Sequence, residues 1–395
     1  MEYRLDKRSG DELSVLGMGC MRFPRKGTGI DMLLTELILL EAFERGVNYF
    51  DTAYSYGGSE EALGAIVERN NLREHIHIAS KLPHGKCRTI DDVERIFSTT
   101  LERLRTDYLD YYLMHNIVTA SQWARLVELG IEEWIAQKKA SGAIRRIGFS
   151  FHGDIAEFRT LLDAYDWDLV QIQYNYVNEH YQAGREGSEL AASRGIPVVV
   201  MEPLLGGRLA AGLPAGTMRA FESAAPGRSP ASWGLRWLFD QPQVTVVLSG
   251  MNSTEMLHEN IDTASSTAPG SMTESEREAI SKAKAAFEET FKVPCTGCNY
   301  CMPCPQGISI PSLFAAYNES FSLGWRTGFF HYMMSVGVTS GEPKLATSCI
   351  ACGACMKKCP QHIEVPARMG DVAHRLQPPG VKTALKIAKS FLSRW

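Results

Sequence analysis

The sequence predicts an α/β protein in two parts, a (β/α)8 barrel of the TIM type followed by a mainly helical, cysteine-rich domain. Three observations carry that expectation. Eight short β-branched or aromatic runs alternate with stretches of helical period. The alternation fades near Asp262, and eight of the ten cysteines lie after residue 294 in two compact clusters. A chain of 395 residues has room for two cores of ordinary size.

The strand-like runs are Val15–Cys20, Val47–Ala53, Ile76–Leu82, Leu109–His115, Ile144–Phe151, Leu169–Asn175, Ile196–Pro203 and Val244–Gly250. Amphipathic stretches between them include Leu34–Arg45, Ser59–Asn70, Val93–Leu104, Trp123–Ser141 and Ser232–Asp240. Strands alternating with helices imply βαβ units and a parallel sheet, and eight such units close into a barrel. An open doubly wound sheet is disfavoured, because no G-x-G-x-x-G opens a helix after any strand. The barrel is expected over 1–262. A linker and connecting helix are expected over 263–291: ASSTAPGSM (264–272) is small and polar, and a capping box from Thr273 to Glu276 starts a helix that runs to about Phe291. The cysteine domain then covers 292–395, with helical patterns at Ser312–Glu319 and Gly328–Val336 between its clusters.

Composition bounds the function. With 45% apolar and 22% charged residues the chain reads as an ordinary globular protein. A formal charge of −4 gives no footprint for nucleic acid. The opening MEYRLDKRSGDEL has no apolar core of a signal peptide. No run has the length of a transmembrane helix, since Ser312–Val338 is broken by Asn318, Glu319, Arg326 and His331. The expected location is the cytoplasm. The last stretch, KTALKIAKSFLSRW (382–395), carries Lys382, Lys386, Lys389 and Arg394 and reads as a solvated helix packing on its own domain rather than on a membrane surface.

The barrel's most informative stretch is GVNYFDTAYSYGGSEEALG (46–64). Asp51 ends the second strand and Tyr56 follows in its loop; Lys81 ends the third strand in IASKLP, and His115 ends the fourth in YLMHN. All four lie at C-terminal strand ends, the face on which barrel enzymes carry their chemistry. One Lys, Tyr or His at a strand end is usually structural, but four together are not. Residues 1 to about 262 resemble the aldo-keto reductase superfamily, whose catalytic tetrad is Asp, Tyr, Lys and His in this order and context. The chemistry stands on its own. Carbonyl reduction needs a proton delivered to oxygen, and a tyrosine with a reference pKa near ~10 needs help to supply one at neutral pH. The Lys81 ammonium would favour the phenolate of Tyr56, Asp51 would hold Lys81 charged, and His115 would orient the carbonyl oxygen.

The resemblance also implies a nicotinamide cofactor bound in extended form over the barrel mouth. In IGFSFH (147–152) the match to the carboxamide-binding serine is Ser150. The family's usual asparagine is here Phe151, with His152 as a substitute. In VQIQYN (170–175) the matching glutamine is Gln171. In VMEPLLGG (200–207) Met201 stands where an aromatic ring often stacks, and Leu204 and Gly206 would approach the pyrophosphate by their backbone. In LSGMNSTEMLHEN (248–260) the positions that grip a 2′-phosphate hold Gly250, Met251 and Met256, while Glu259 and Asn260 match adenine contacts. Of NAD(H) and NADP(H), the reading leans towards NAD(H). Arg208 or Arg228, in the long loop after strand seven, are the cations that would reverse it.

The first cysteine run is PCTGCNYCMPCPQGI, with Cys295, Cys298, Cys301 and Cys304; the second is CIACGACMKKCPQHI, with Cys349, Cys352, Cys355 and Cys359. The second is the full bacterial ferredoxin run C-x2-C-x2-C-x3-C-P, and the first has one residue fewer before its last cysteine. The resemblance is to a helical ferredoxin module with two 4Fe-4S clusters. Its rule that the fourth cysteine of each run serves the other cluster assigns Cys295, Cys298, Cys301 and Cys359 to one cluster, and Cys349, Cys352, Cys355 and Cys304 to the other. Structural zinc is the competing reading, but four closely spaced cysteines, twice, exceed what one zinc needs. Cys20 and Cys87 belong to no motif.

The function expected is therefore an oxidoreductase that interconverts a small-molecule carbonyl and alcohol with a nicotinamide cofactor. Its clusters would exchange electrons with a ferredoxin or flavodoxin partner. The alternative is a flavin-bearing or ferredoxin-coupled electron-transfer protein whose barrel is not primarily a carbonyl reductase: hydride moves two electrons and each cluster one, although no flavin motif is present. The loops after strands one (Met21–Asp31) and seven are expected to line the substrate pocket.

Overall fold

The computed structural model describes residues 1–337, 343–378 and 380–381. They form two compact units, one of residues 1–203 and 231–272, the other of 204–230 and 273 onward. The segment after the seventh strand therefore groups with the cysteine-bearing half. The stretch read as a linker is fastened to the first unit instead: the N–H groups of Gly270 and Met272 donate to the backbone and side chain of Asp240.

In the first unit all eight expected strands form: β1 (Leu16–Gly19), β2 (Tyr49–Asp51), β3 (His77–Leu82), β4 (Leu109–Ile117), β5 (Ile144–Phe151), β6 (Leu169–Gln173), β7 (Val198–Met201) and β8 (Val246–Ser249). They pair in parallel in chain order, and β8 closes on β1. Two hairpins were not foreseen, Tyr3–Leu5 with Glu12–Ser14 and the very short Arg25–Lys26 with Gly29–Ile30. The stretch Trp123–Ser141, expected as one helix, is two, Ala120–Glu128 and Ile131–Ala140, broken where Gly130 takes φ +88°.

Strand periodicity decides what faces the barrel axis. Tyr49, Ala79, Tyr111, Leu113, Leu169, Val199, Val246 and Leu248, with Leu13, fill the interior as one buried cluster. Side chains two residues further on face the same way. Asp51 follows Tyr49, Lys81 follows Ala79, His115 follows Leu113, Gln171 follows Leu169 and Met201 follows Val199. A packed apolar floor thus carries a polar ring at the C-terminal end. The intervening residues face the helices. Phe149, for example, meets Phe158 at 5.8 Å and Trp167 at 4.9 Å between ring centroids.

The second unit is helical: Ala215–Ala224, Glu274–Glu288, Ile310–Ser322, Trp325–Ser335 and Val365–Leu376. The expected capping box between Thr273 and Glu276 is present. Helices Ile310–Ser322 and Trp325–Ser335 cross closely at Gly328, where a Cβ would lie 2.4 Å from Ser320 Cβ. Leu313, Phe314, Tyr332, Ile363, Val365, Met369 and Val372 share one core. Buried Asn318 accepts from the N–H groups of Lys292 and Val293 and donates to Val293 O, pinning the chain as it enters the first cysteine run. The helix expected at 382–395 lies outside the described residues.

Candidate active site and cysteine centres

The four residues expected to act together are brought together. Lys81 Nζ donates to both carboxylate oxygens of Asp51, at 2.7 and 2.6 Å, and to Thr52 O at 2.8 Å. Both side chains are buried. Burial pushes the Asp51 carboxyl up, while the Lys81 charge and the Gln171 amide pull it back. Lys81 Nζ lies 5.2 Å from the centre of the Tyr56 ring, and that ring meets His115 edge-on at 5.7 Å. Desolvation, reinforced by Lys81 and by the imidazoles of His152 and His84, holds His115 well below the usual histidine range. His115 is therefore neutral at pH 7, a state in which an imidazole can orient an oxygen by a hydrogen bond, and the Tyr56 ring stands beside a cation.

The positions matched to carboxamide binding are also at this mouth. Gln171 Nε2 donates to Asp51 Oδ1 at 2.9 Å, whereas its Oε1 is buried without a partner. An orphaned buried carbonyl oxygen is costly unless something supplies a donor. A primary carboxamide, as in nicotinamide, has the N–H to do so. Ser150 Oγ accepts from Asn116 N at 2.8 Å. Phe151 turns outward onto Phe158, at 5.1 Å, and so offers nothing to an amide. His152 is buried next to it and is linked to Gln182 Oε1 at 3.2 Å. Met201 packs on the barrel core.

Other expected contacts are already engaged. Asn260 donates to Ser249 Oγ at 2.9 Å and ties its helix, Thr254–Ser265, to the end of β8. Glu259 O accepts from Thr263. Leu204 and Gly206 belong to the second unit, where Gly206 takes φ +65°. The two arginines held in reserve for a 2′-phosphate face carboxylates there: Arg208 lies 3.6 Å from Glu319, and Arg228 2.5 Å from Glu276.

Several participants escaped the sequence reading. His84 is buried with Nδ1 unpartnered, and burial lowers its pKa. Glu60, in the middle of the motif that carries Tyr56, is only 1% exposed and accepts from Ser80 Oγ at 2.6 Å and Arg103 Nη1 at 3.1 Å. An acid amid Ala62, Leu63 and Ile66 on a helix face was the available signal.

In the second unit the two cysteine runs adopt the same backbone. Left-handed residues stand two and four positions after each first cysteine, Gly297 and Asn299 in one run, Ala351 and Gly353 in the other. Gly307 and His362, three after each last cysteine, repeat this. Such turns aim successive N–H groups into a concavity suited to negative charge. Cys295, Cys298, Cys301 and Cys359 line one pocket of about 350 Å³ with Ile310, Phe314 and Val365. Cys304, Cys349, Cys352 and Cys355 line another of about 680 Å³, to which Cys301 also contributes. Burial pushes the Cys295 thiol up to about 11 and Cys301 to about 12. Four sulfurs around an apolar, N–H-rimmed pocket, twice, fit cubane iron–sulfur clusters, whose irons supply the positive charge that makes buried thiolates tenable.

The comparisons with known proteins also divide the chain into two regions. A 4Fe-4S dicluster domain matches residues 294–364. An uncharacterised oxidoreductase of Bacillus subtilis, YqkF, is 27% identical over 295 residues, covering 64% of this chain and 88% of that protein. An NAD/NADP-dependent indole-3-acetaldehyde reductase of Schizosaccharomyces pombe is 27% identical over 193 residues, 48% of this chain and 64% of that one. Among solved structures, a thermostable aldo-keto reductase, Tm1743, in complex with the inhibitor epalrestat superposes with a TM-score of 0.57 at 27% identity, covering 71% of this chain and 98% of that one. The aldo/keto reductase family model matches residues 15–275, two thirds of the chain and all eight strands, and the protein belongs to that family.

Proposed function

We propose that the barrel is a nicotinamide-dependent carbonyl reductase or alcohol dehydrogenase, and that the eight clustered cysteines hold two 4Fe-4S clusters for electron transfer. When bound, the nicotinamide supplies or accepts the hydride. Tyr56 delivers the proton to the carbonyl oxygen, Lys81 stabilises the phenolate left behind, Asp51 keeps Lys81 charged and in place, and neutral His115 orients the oxygen. Gln171 and Ser150 hold the carboxamide, with Met201 beside it, while Leu204, Gly206, Glu259 and Asn260 serve the rest of the dinucleotide. The observation that carries this reading is the Asp51–Lys81–Tyr56–His115 assembly with Gln171 Oε1 orphaned beside it.

NAD(H) is favoured over NADP(H), because Arg208 and Arg228 are matched by carboxylates. One cluster would be held by Cys295, Cys298, Cys301 and Cys359, the other by Cys304, Cys349, Cys352 and Cys355, in line with the two pockets. Among the described residues no helix is long and apolar enough to cross a membrane, and we read the location as cytoplasmic. The redox partner would be a ferredoxin or flavodoxin. The runner-up, an electron-transfer protein with a flavin joining one- and two-electron steps, is supported by the cysteine centres but leaves the assembled tetrad without a use.

Anaerobically purified protein assayed with a panel of aldehydes and ketones, with NADH and NADPH in parallel, tests the reading. Carbonyl-dependent oxidation, faster with NADH, is expected, together with about eight irons and about eight acid-labile sulfides per chain. A yellow flavin spectrum with no carbonyl turnover would favour the runner-up, and stoichiometric zinc without sulfide would remove the clusters.

A further inference from the structure

We propose that Arg103 and Glu60 are positioning residues, forming a clamp that sets Tyr56 against Lys81. The inference rests on the tetrad reading above and adds to it two residues that touch none of the reacting groups.

Tyr56 and Lys81 reach the barrel mouth by different routes. Lys81 stands on β3 and is fixed by Asp51. Tyr56 stands in a loop whose backbone hydrogen bonds near it are local, Tyr56 N to Ala53 O and Ser59 N to Tyr56 O. The two ends of the loop are tied to the barrel, by Thr52 N to Ala79 O on β3, by Lys81 Nζ to Thr52 O and by Ser59 Oγ to Cys20 O, and Tyr54 and Tyr56 lie between these ties. A further tie, within the span between them, comes from Arg103, in the last turn of the helix Ile90–Leu104. Its guanidinium lies over the Tyr54 ring at 4.4 Å, and its Nη1 donates to Tyr54 O at 3.3 Å. It therefore grips the loop by both the ring and the backbone, two residues before Tyr56.

The same guanidinium is anchored on its other side. Arg103 Nη1 lies 3.1 Å from Glu60 Oε2, and Nε 3.1 Å from Glu61 Oε1. The other oxygen of Glu60 accepts from Ser80 Oγ at 2.6 Å. Ser80 is fully buried and immediately precedes Lys81. One continuous chain of contacts thus runs from the Tyr56 loop through Arg103 and Glu60 to the strand that carries Lys81. Gly64 lets the two helices meet closely enough for it: a Cβ there would lie 2.4 Å from Arg103 O. Glu60 also sits in the first turn of its helix, where the helix dipole favours a carboxylate.

An ion pair with one buried partner does not by itself imply a net gain in stability, since desolvation of Glu60 offsets much of the attraction. Setting a geometry at the mouth gives it a use that apolar residues of the same volume would not provide.

The test uses the full-length, anaerobically purified protein as Arg103→Met, Arg103→Lys, Glu60→Gln, Tyr54→Ala and Tyr56→Phe. Two readouts apply: the ultraviolet titration of tyrosinate, with Tyr56→Phe identifying the Tyr56 component by difference, and kcat and KM for 4-nitrobenzaldehyde reduction with NADH. In Arg103→Met and Tyr54→Ala the Tyr56 ionisation is expected to move up by about one unit as Lys81 loses its hold on the phenolate. The value of kcat should fall on the order of 10²-fold with cofactor KM little changed, and Arg103→Lys should recover part of both. If Arg103→Met does not fold, Tyr54→Ala and Arg103→Lys carry the same comparison. Folded variants whose Tyr56 titration and kcat match wild type overturn the clamp while leaving the tetrad standing. A Tyr56→Phe protein with the titration and turnover of wild type overturns both.

Discussion

The two units handle buried reactive groups in opposite ways. In the barrel, the Lys81 ammonium is matched within the chain itself, by both oxygens of Asp51 and by Thr52 O. In the cysteine unit, thiols gather around apolar pockets where burial raises Cys295 and Cys301, and the Arg208 charge offsets only part of the rise at Cys295. The buried charges of the barrel site are paired within the chain. Metal in the cysteine pockets would supply the positive charge that buried thiolates need. The difference teaches where each unit's stability comes from: the barrel's from its apolar floor and outer helices, the cysteine unit's in large part from what its sulfurs bind.

Stripping iron sharpens that contrast most. Anaerobic chelation is expected to abolish protease resistance and helical circular dichroism from the second unit while the barrel stays folded. Loss should be stepwise, because Cys352 is exposed and its neighbour Ile350 is 61% exposed, whereas Cys295 in the other pocket is buried. The pocket containing Cys352 should empty first. An apo-protein whose second unit resists protease as well as the holo-protein would dissolve the contrast.

The next effect is confined to the barrel. Tyr56→Phe removes one hydroxyl and no charge, so the fold and cofactor affinity should persist while carbonyl reduction falls by ~10²–10⁴-fold. The cluster content of the variant should match wild type. Turnover at the wild-type rate would deprive Tyr56 of its role.

How much of this was legible in the sequence follows from the range of the interactions involved. Strand period and C-terminal strand ends are local properties, so Asp51, Lys81, His115 and Gln171 were readable, and Tyr56 came with the motif. The cysteine spacing was readable because sulfur ligation leaves few alternatives. Glu60 and Arg103 were not, because their partnership joins residues 43 positions apart through a helix crossing that only the fold creates. The break at Gly130 was missed because the amphipathic pattern runs on across it, and only a left-handed φ reveals the turn. The grouping of 204–230 with the cysteine unit was invisible for a related reason. It depends on packing such as Thr217 Oγ1 on Ala283 O, which leaves no periodic trace.

The smallest effect is the pH dependence of the barrel, and its sign follows from the histidines. Burial lowers the pKa of both His84 and His115 in the folded protein, while the unfolded chain keeps a value near ~6.5. Below that value the unfolded state binds more protons than the folded one, so stability conferred by the neutral rings is present above about pH 6.5 and is lost as pH falls towards the folded-state values. Each histidine should therefore lower stability between pH 7 and pH 5.5. Asp51 and Glu60 have the opposite sign. Burial raises their pKa, so they favour the folded state as pH drops, and the His84→Gln comparison separates the histidine contribution from theirs. Urea unfolding of the holo-protein followed by tryptophan fluorescence, most of whose reporters lie in the barrel, measures the slope. His84→Gln removes one titrating ring without entering the tetrad. Its stability should vary less steeply with pH than that of wild type over the same window, by roughly the contribution of one histidine. An unchanged slope would mean that His84 titrates alike in both states, and that the enclosure of the barrel mouth is weaker than its burial implies.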